Sequence, residues 1–162
     1  MASFDVVSKL DHHEVDNALD QARREISQRY DFKGTDTSLE KSEEGILIKT
    51  KSASLCAAAL EVLRGKLAKR GVSQKALDPG APAPAGGDTY RVLVKLREGI
   101  DQEHAKKIVK LLKDAKTLKV QAAIQGDVVR VSHKKRDVLQ DAIQLLKEQD
   151  LPLPLQYQNF RD

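Results

Sequence analysis

The stretch Lys119–Ser132, KVQAAIQGDVVRVS, decides the fold. Val120, Ala122 and Ile124 alternate with Lys119, Gln121 and Gln125, and Val129 and Val131 flank Arg130. A period of two marks strands with one face buried. Gly126-Asp127 between the two runs suits a two-residue hairpin turn, because glycine takes the positive φ that such turns need. Upstream, His104, Ile108, Leu111, Leu112 and Ala115 recur at helical spacing, and downstream Val138, Leu139, Ala142, Ile143 and Leu146 do the same. Tyr90, Val92, Val94 and Leu96 alternate ahead of the first helix. Pro152–Phe160 reads as an extended edge piece, where prolines are tolerated. Strand, helix, strand, strand, helix, strand is the split βαβ, or ferredoxin-like, order.

The same order stands in the first half. Ser3–Leu10 alternates as a strand, Asp11 occupies a helix-cap position, and Val15, Ala18, Leu19, Ala22 and Ile26 follow at helical spacing. Thr37–Lys41 and Gly45–Thr50 form a second hairpin, and a helix starting near Ser52 or Ser54 closes with Lys69, Arg70 and Gly71. Between Asp78 and Asp88 lies PGAPAPAGG, whose prolines stiffen a linker. The expected protein is therefore α+β, with a ferredoxin-like domain over 1–78, a linker over 79–88 and a second such domain over 89–162. Helices would cover one face of each antiparallel sheet and leave the other open.

Composition sets the class. With 40% hydrophobic and 32% charged residues the 162-residue chain reads as an ordinary globular protein. Its apolar runs are far shorter than the roughly 20 residues a membrane span needs. MASFDVVSKLD carries charges where a secretory signal would be apolar, and the single cysteine fits a reducing compartment. A cytoplasmic protein without a membrane partner is expected. Met1 to Ala85 holds 13 Lys+Arg and 13 Asp+Glu, while Gly86 to Asp162 holds 15 and 11, so the whole excess of +4 lies in the second half. A basic copy of a repeated scaffold points to an anionic partner.

If the valines of the second half face the helices, the other face carries Arg91, Lys95, Arg97, Lys119, Gln121, Gln125 and Arg130. Arginine grips a phosphate with two hydrogen bonds, and glutamine can read a base edge. An open strand face also takes such residues simply because it is wet. Six lysines stand between Lys106 and Lys119, and on a helix Lys106, Lys110 and Lys113 form a solvated stripe suited to steering anions. Lys134, Lys135 and Arg136 open the last helix, where cations oppose the macrodipole unless an anion sits there. The middle strands hold no aromatic residue, which disfavours an RNA reader that stacks bases but not one that binds the backbone. Tyr30 and Phe32 read as core plugs.

Catalytic chemistry is not apparent. His12, His13, Glu14 and Asp16 point in different directions on a helix with no second cluster to complete a metal site. Cys56 shares an apolar stripe with Leu60, Leu63 and Leu67 and has no base beside it. No Walker loop, GxGxxG or serine elbow occurs. The expectation is a non-enzyme without cofactor or metal.

SFDVVSK at Ser3, RYDFKG at Arg29, KKIVKLLKD at Lys106, KVQAAIQGDVVRVS at Lys119, KKRDVLQ at Lys134 and QNFRD at Gln158 together resemble the YajQ family. The resemblance implies two ferredoxin-like domains that exchange their first strands, 3–10 and 90–96. On that arrangement Arg91, Lys95 and Arg97 leave the basic face, Asp5 and Lys9 join it, and Lys119, Gln121, Gln125 and Arg130 stay together. The resemblance further implies a nucleotide ligand, cyclic di-GMP or GTP-like. It adds Arg29, Asp31, Phe32 and Lys33 and the terminal Asn159, Phe160 and Arg161 as signature residues whose chemistry the pattern does not supply. Tyr30 stands where the family usually has Phe, and Lys33 where Arg is common. Two other readings stay open at this point: an RNA-binding protein using the same basic face, and an adaptor whose sheet faces dock a protein such as a transcription factor.

Overall fold

A computed structural model describes all residues, Met1–Asp162. Nine strands and four helices follow in the order β1 (Ala2–Val7), α1 (His12–Gln28), β2 (Ser38–Ser42), β3 (Gly45–Thr50), α2 (Ala53–Lys69), β4 (Leu77–Pro79), β5 (Ala83–Pro84), β6 (Tyr90–Leu96), α3 (Gln102–Asp114), β7 (Gln121–Gln125), β8 (Val128–His133), α4 (Arg136–Glu148) and β9 (Gln156–Arg161). Local chemistry sets the boundaries. The Asp11 carboxylate accepts from the amides of His13 and Glu14, and the Ser52 hydroxyl from Leu55, so α1 and α2 start where those caps stand.

The strands form two antiparallel sheets, ordered β7-β8-β1-β9 and β2-β3-β6-β4, with β5 also paired to β6. Both orders, with two helices each, are ferredoxin-like. Each sheet takes as its inner strand the first strand of the other repeat. β1 pairs with β8, opposing Phe4 to Val131 and Asp5 to Arg130, while β6 pairs with β3, opposing Val94 to Ile46. The compact units are accordingly discontinuous: Met1–Lys9 with Glu98–Asp162, and Leu10–Arg97. Residues 79–88, expected as a linker, lie inside the second of these; Pro79 stands opposite Val94, Ala83 opposite Arg91 and Pro84 opposite Tyr90 along β6.

This arrangement redistributes charge. The unit containing β1 holds 13 Lys+Arg and 11 Asp+Glu, and the other holds 15 and 13. The +4 is thus shared evenly, because Arg91 and Lys95 on β6, and Arg97 just after it, join the unit of the first repeat.

Each unit has its own core. Phe4, Val6, Ile108, Leu112, Val129, Val131, Leu139 and Leu146 pack between the β1 sheet and α3 and α4. Val15, Leu19, Leu39, Ile46, Ile48, Leu63, Leu67, Val92 and Val94 do so between the β6 sheet and α1 and α2. No helix is long and apolar enough to cross a membrane.

Candidate functional site

The open face of the β1 sheet follows from strand register. Gln121 opposes Ser132, Ala123 opposes Arg130 and Gln125 opposes Val128, so these six share the face away from the helices. Across β8 the row continues to Ser3 and Asp5, and across β1 to Gln158 and Arg161.

Asp5 is its hub. The residue is only 6% exposed although it lies on the open face. Arg130 Nε donates to Asp5 Oδ1 at 3.0 Å, Asn159 Nδ2 donates to Oδ2 at 2.8 Å, and Arg161 Nη2 stands 3.7 Å from Oδ2. Burial by itself would raise the Asp5 pKa. The hydrogen bonds from Arg130 and Asn159, and the charges of Arg130 and Arg161, outweigh it and hold the carboxyl below the usual carboxylate range.

A bulge in β9 builds this cluster. Ser3 opposes Arg161 and Asp5 opposes Gln158, so two residues, Asn159 and Phe160, stand against Phe4 alone. Asn159 takes φ 59°, a left-handed conformation that asparagine tolerates better than most residues. Without the extra residue, alternation would send Arg161 to the helix side. With it, Asn159 and Arg161 reach Asp5, and the Phe160 ring stacks on buried Phe4 at 5.7 Å between centroids. The terminal Asn-Phe-Arg thereby acquires a physical account that the pattern alone did not supply.

The other expected residues are spread further. Lys119 precedes β7 with φ 53°, outside the alternation that sets the face; the strand expected to include Lys119 therefore begins at Gln121. Lys134 is exposed and Lys135 takes the cap position of α4, its amide donating to His133 Nδ1 at 2.9 Å. Arg136 pairs with the Asp162 carboxylate, so the cation at the α4 start already has an anion of its own. Beside it a cleft of about 270 Å³ is lined by Leu139, Gln140 and Phe160 among others.

Arg29, Asp31, Phe32 and Lys33 belong to the other unit. Arg29 grips Asp31 through two hydrogen bonds of 3.0 and 2.7 Å, reaches Glu25 at 3.6 Å and lies over the Phe32 ring. The hydrogen bond from Arg29 holds the Asp31 carboxyl below its usual range. Phe32 is buried and plugs the core, whereas Tyr30 is 88% exposed, contrary to its reading as a second plug: it occupies the first position of the one-turn helix that turns Phe32 inward. A cleft of about 460 Å³ between α1 and β2 is lined by Arg23, Phe32, Lys33 and Leu39. Arg91 and Lys95 lie on β6 and Arg97 just after it, all in this unit.

Gln158, on the same face as Asp5, was not singled out from sequence; the alternation in Gln156–Arg161 carried that signal until the bulge. Burial raises the Cys56 thiol pKa, which suits a packed side chain rather than a nucleophile.

The family model described as nucleotide-binding protein YajQ-like matches residues 2–161. The chain belongs to the YajQ family. A nucleotide-binding protein of Anaeromyxobacter sp. (strain K) is 55% identical to this YajQ-family chain over 163 residues, covering all of both. One from Nitrosococcus oceani is 51% identical over 162 residues, again covering all of both. One from Streptomyces coelicolor is 50% identical over 160 residues, covering 99% of this chain and 98% of its own.

Proposed function

We propose that this chain is a non-catalytic, cytoplasmic nucleotide-binding protein that takes cyclic di-GMP or a GTP-like ligand on the open face of the β1 sheet. The observation that carries the reading is the convergence of Arg130 and Arg161, from the strands on either side of β1, on one uncovered face. Their guanidinium forks suit phosphate oxygens. Gln121, Gln125 and Gln158, on the same face, offer both donors and acceptors for a base or sugar. Lys119 and Lys134 add positive charge at the margin, and the lysines of α3 add long-range attraction. The names borne by full-length relatives support the ligand class. No reaction is part of the proposal: the face holds one carboxylate, and its oxygens are already engaged. Residues 29–33 are read as a rigid turn of the other unit.

Calorimetric titration of the native chain and of an Arg130→Ala, Lys119→Ala variant tests this. Saturable one-to-one nucleotide binding, weakened at least tenfold in the variant, is the expected result; each tenfold step is about 1.4 kcal/mol. Equal affinity in the variant overturns the site. Affinity for RNA that grows with length and falls steeply with salt, with no response to nucleotide, overturns the ligand class.

A further inference from the structure

A carboxylate at the middle of a phosphate-binding face needs an explanation. Asp5 puts a negative charge where an anion would be received, which opposes binding by Coulomb's law. Stability alone does not account for it, because an ion pair removed from water gains little over an apolar pair of similar shape. Its geometry does. Asp5 engages Arg130 through Nε, the one side-chain donor of Arg130 held in a hydrogen bond, so both Nη groups remain to meet a ligand. The opposite oxygen receives Asn159 and faces Arg161. Two guanidinium groups from flanking strands are thus held within 4 Å of one carboxylate, and the left-handed bulge at Asn159 is what brings the second of them to this face.

We infer that Asp5 is the positioning residue of this site, fixing Arg130 and Arg161 so that they take one phosphate between them. The inference rests on the reading of this face as the nucleotide site. The sign of one substitution separates positioning from charge. Removing the Asp5 charge should tighten anion binding if Asp5 acts only through its field, and weaken it if Asp5 holds the arginines in place.

The test is calorimetric titration of the native chain, Asp5→Asn and Arg130→Ala with cyclic di-GMP and with GTP, alongside thermal melts and ¹⁵N spectra of the arginine Nε–H groups. Positioning predicts that folded Asp5→Asn binds at least tenfold more weakly, and that the Arg130 Nε–H resonance loses its protection from solvent exchange. Asn159→Gly keeps the left-handed bulge and the net charge while removing one clasp on Asp5; about threefold weaker binding is expected. That variant decides the matter if Asp5→Asn does not fold. Equal or tighter binding by these variants, with Arg130→Ala still defective, overturns the positioning role and leaves the nucleotide site standing. Native affinity in Arg130→Ala overturns both.

Discussion

Gly45→Ala is expected to abolish stable folding of the unit formed by Leu10–Arg97. Gly45 opens β3 at φ 139°, and a Cβ there would stand 2.2 Å from the Val94 carbonyl oxygen and 3.0 Å from Lys95 Cα. Both are backbone atoms of β6, the neighbouring strand, so no side-chain rotation relieves the clash. Either β3 separates from β6 or the pairs Ile46–Val94 and Ile48–Val92 shift, and all four side chains lie in the core. The cost is on the order of 3 kcal/mol or more. Gly126→Ala provides the comparison: its φ is 63° but nothing lies within 4 Å of the added carbon, so about 1 kcal/mol is expected. Urea unfolding followed by circular dichroism reads both. Midpoints for the two variants that coincide would contradict the close approach of β3 to β6.

The second large effect concerns acid. Removing the Asp5 side chain leaves Arg130 Nε and the Asn159 amide without their acceptor, and Asp5→Ala is expected to cost about 2 kcal/mol at neutral pH. The figure is below that for a fully buried pair because the Arg130 side chain is 32% exposed and screened by solvent. Acid should do the same reversibly. The Asp5 pKa is lowered in the folded chain, so its contribution is present above the ordinary aspartate value of about 4 and is lost as pH falls through the folded-state value. The charged groups facing it are Arg130 from β8 and Arg161 from β9. Thermal melts from pH 7 downward should show the native chain losing the advantage it holds over Asp5→Ala at neutral pH. Curves that stay parallel would show that Asp5 carries no linked stability.

Much of the architecture was legible because one-face burial leaves a period of two in strands and of 3.6 in helices. The valines of β8, the Gly126-Asp127 turn and the Asp11 cap all stand where those rules put them. Alternation says which face of a strand is buried but not which strand lies beside it. The places of β1 and β6 were therefore invisible to pattern and came only through family resemblance, and the charge count by halves misled for the same reason. Single-residue departures from period two were equally hidden. Lys119 at φ 53° leaves the strand that its neighbours suggest, and the Asn159 bulge reverses the faces of Phe160 and Arg161. Asp5 looked like an ordinary polar strand residue; its role as hub depends on partners more than a hundred positions away, Arg130 at a separation of 125 and Asn159 at 154.

The most direct measurement is the location of the ligand on the chain. Titrating ¹⁵N-labelled protein with cyclic di-GMP, and separately with GTP, should move the resonances of Gln121, Gln125, Arg130, Gln158 and Arg161 in a saturable, one-to-one manner. Shifts confined to residues 29–33 and the α1–β2 cleft, or no shifts with either nucleotide, would contradict a nucleotide site on the open face of the β1 sheet.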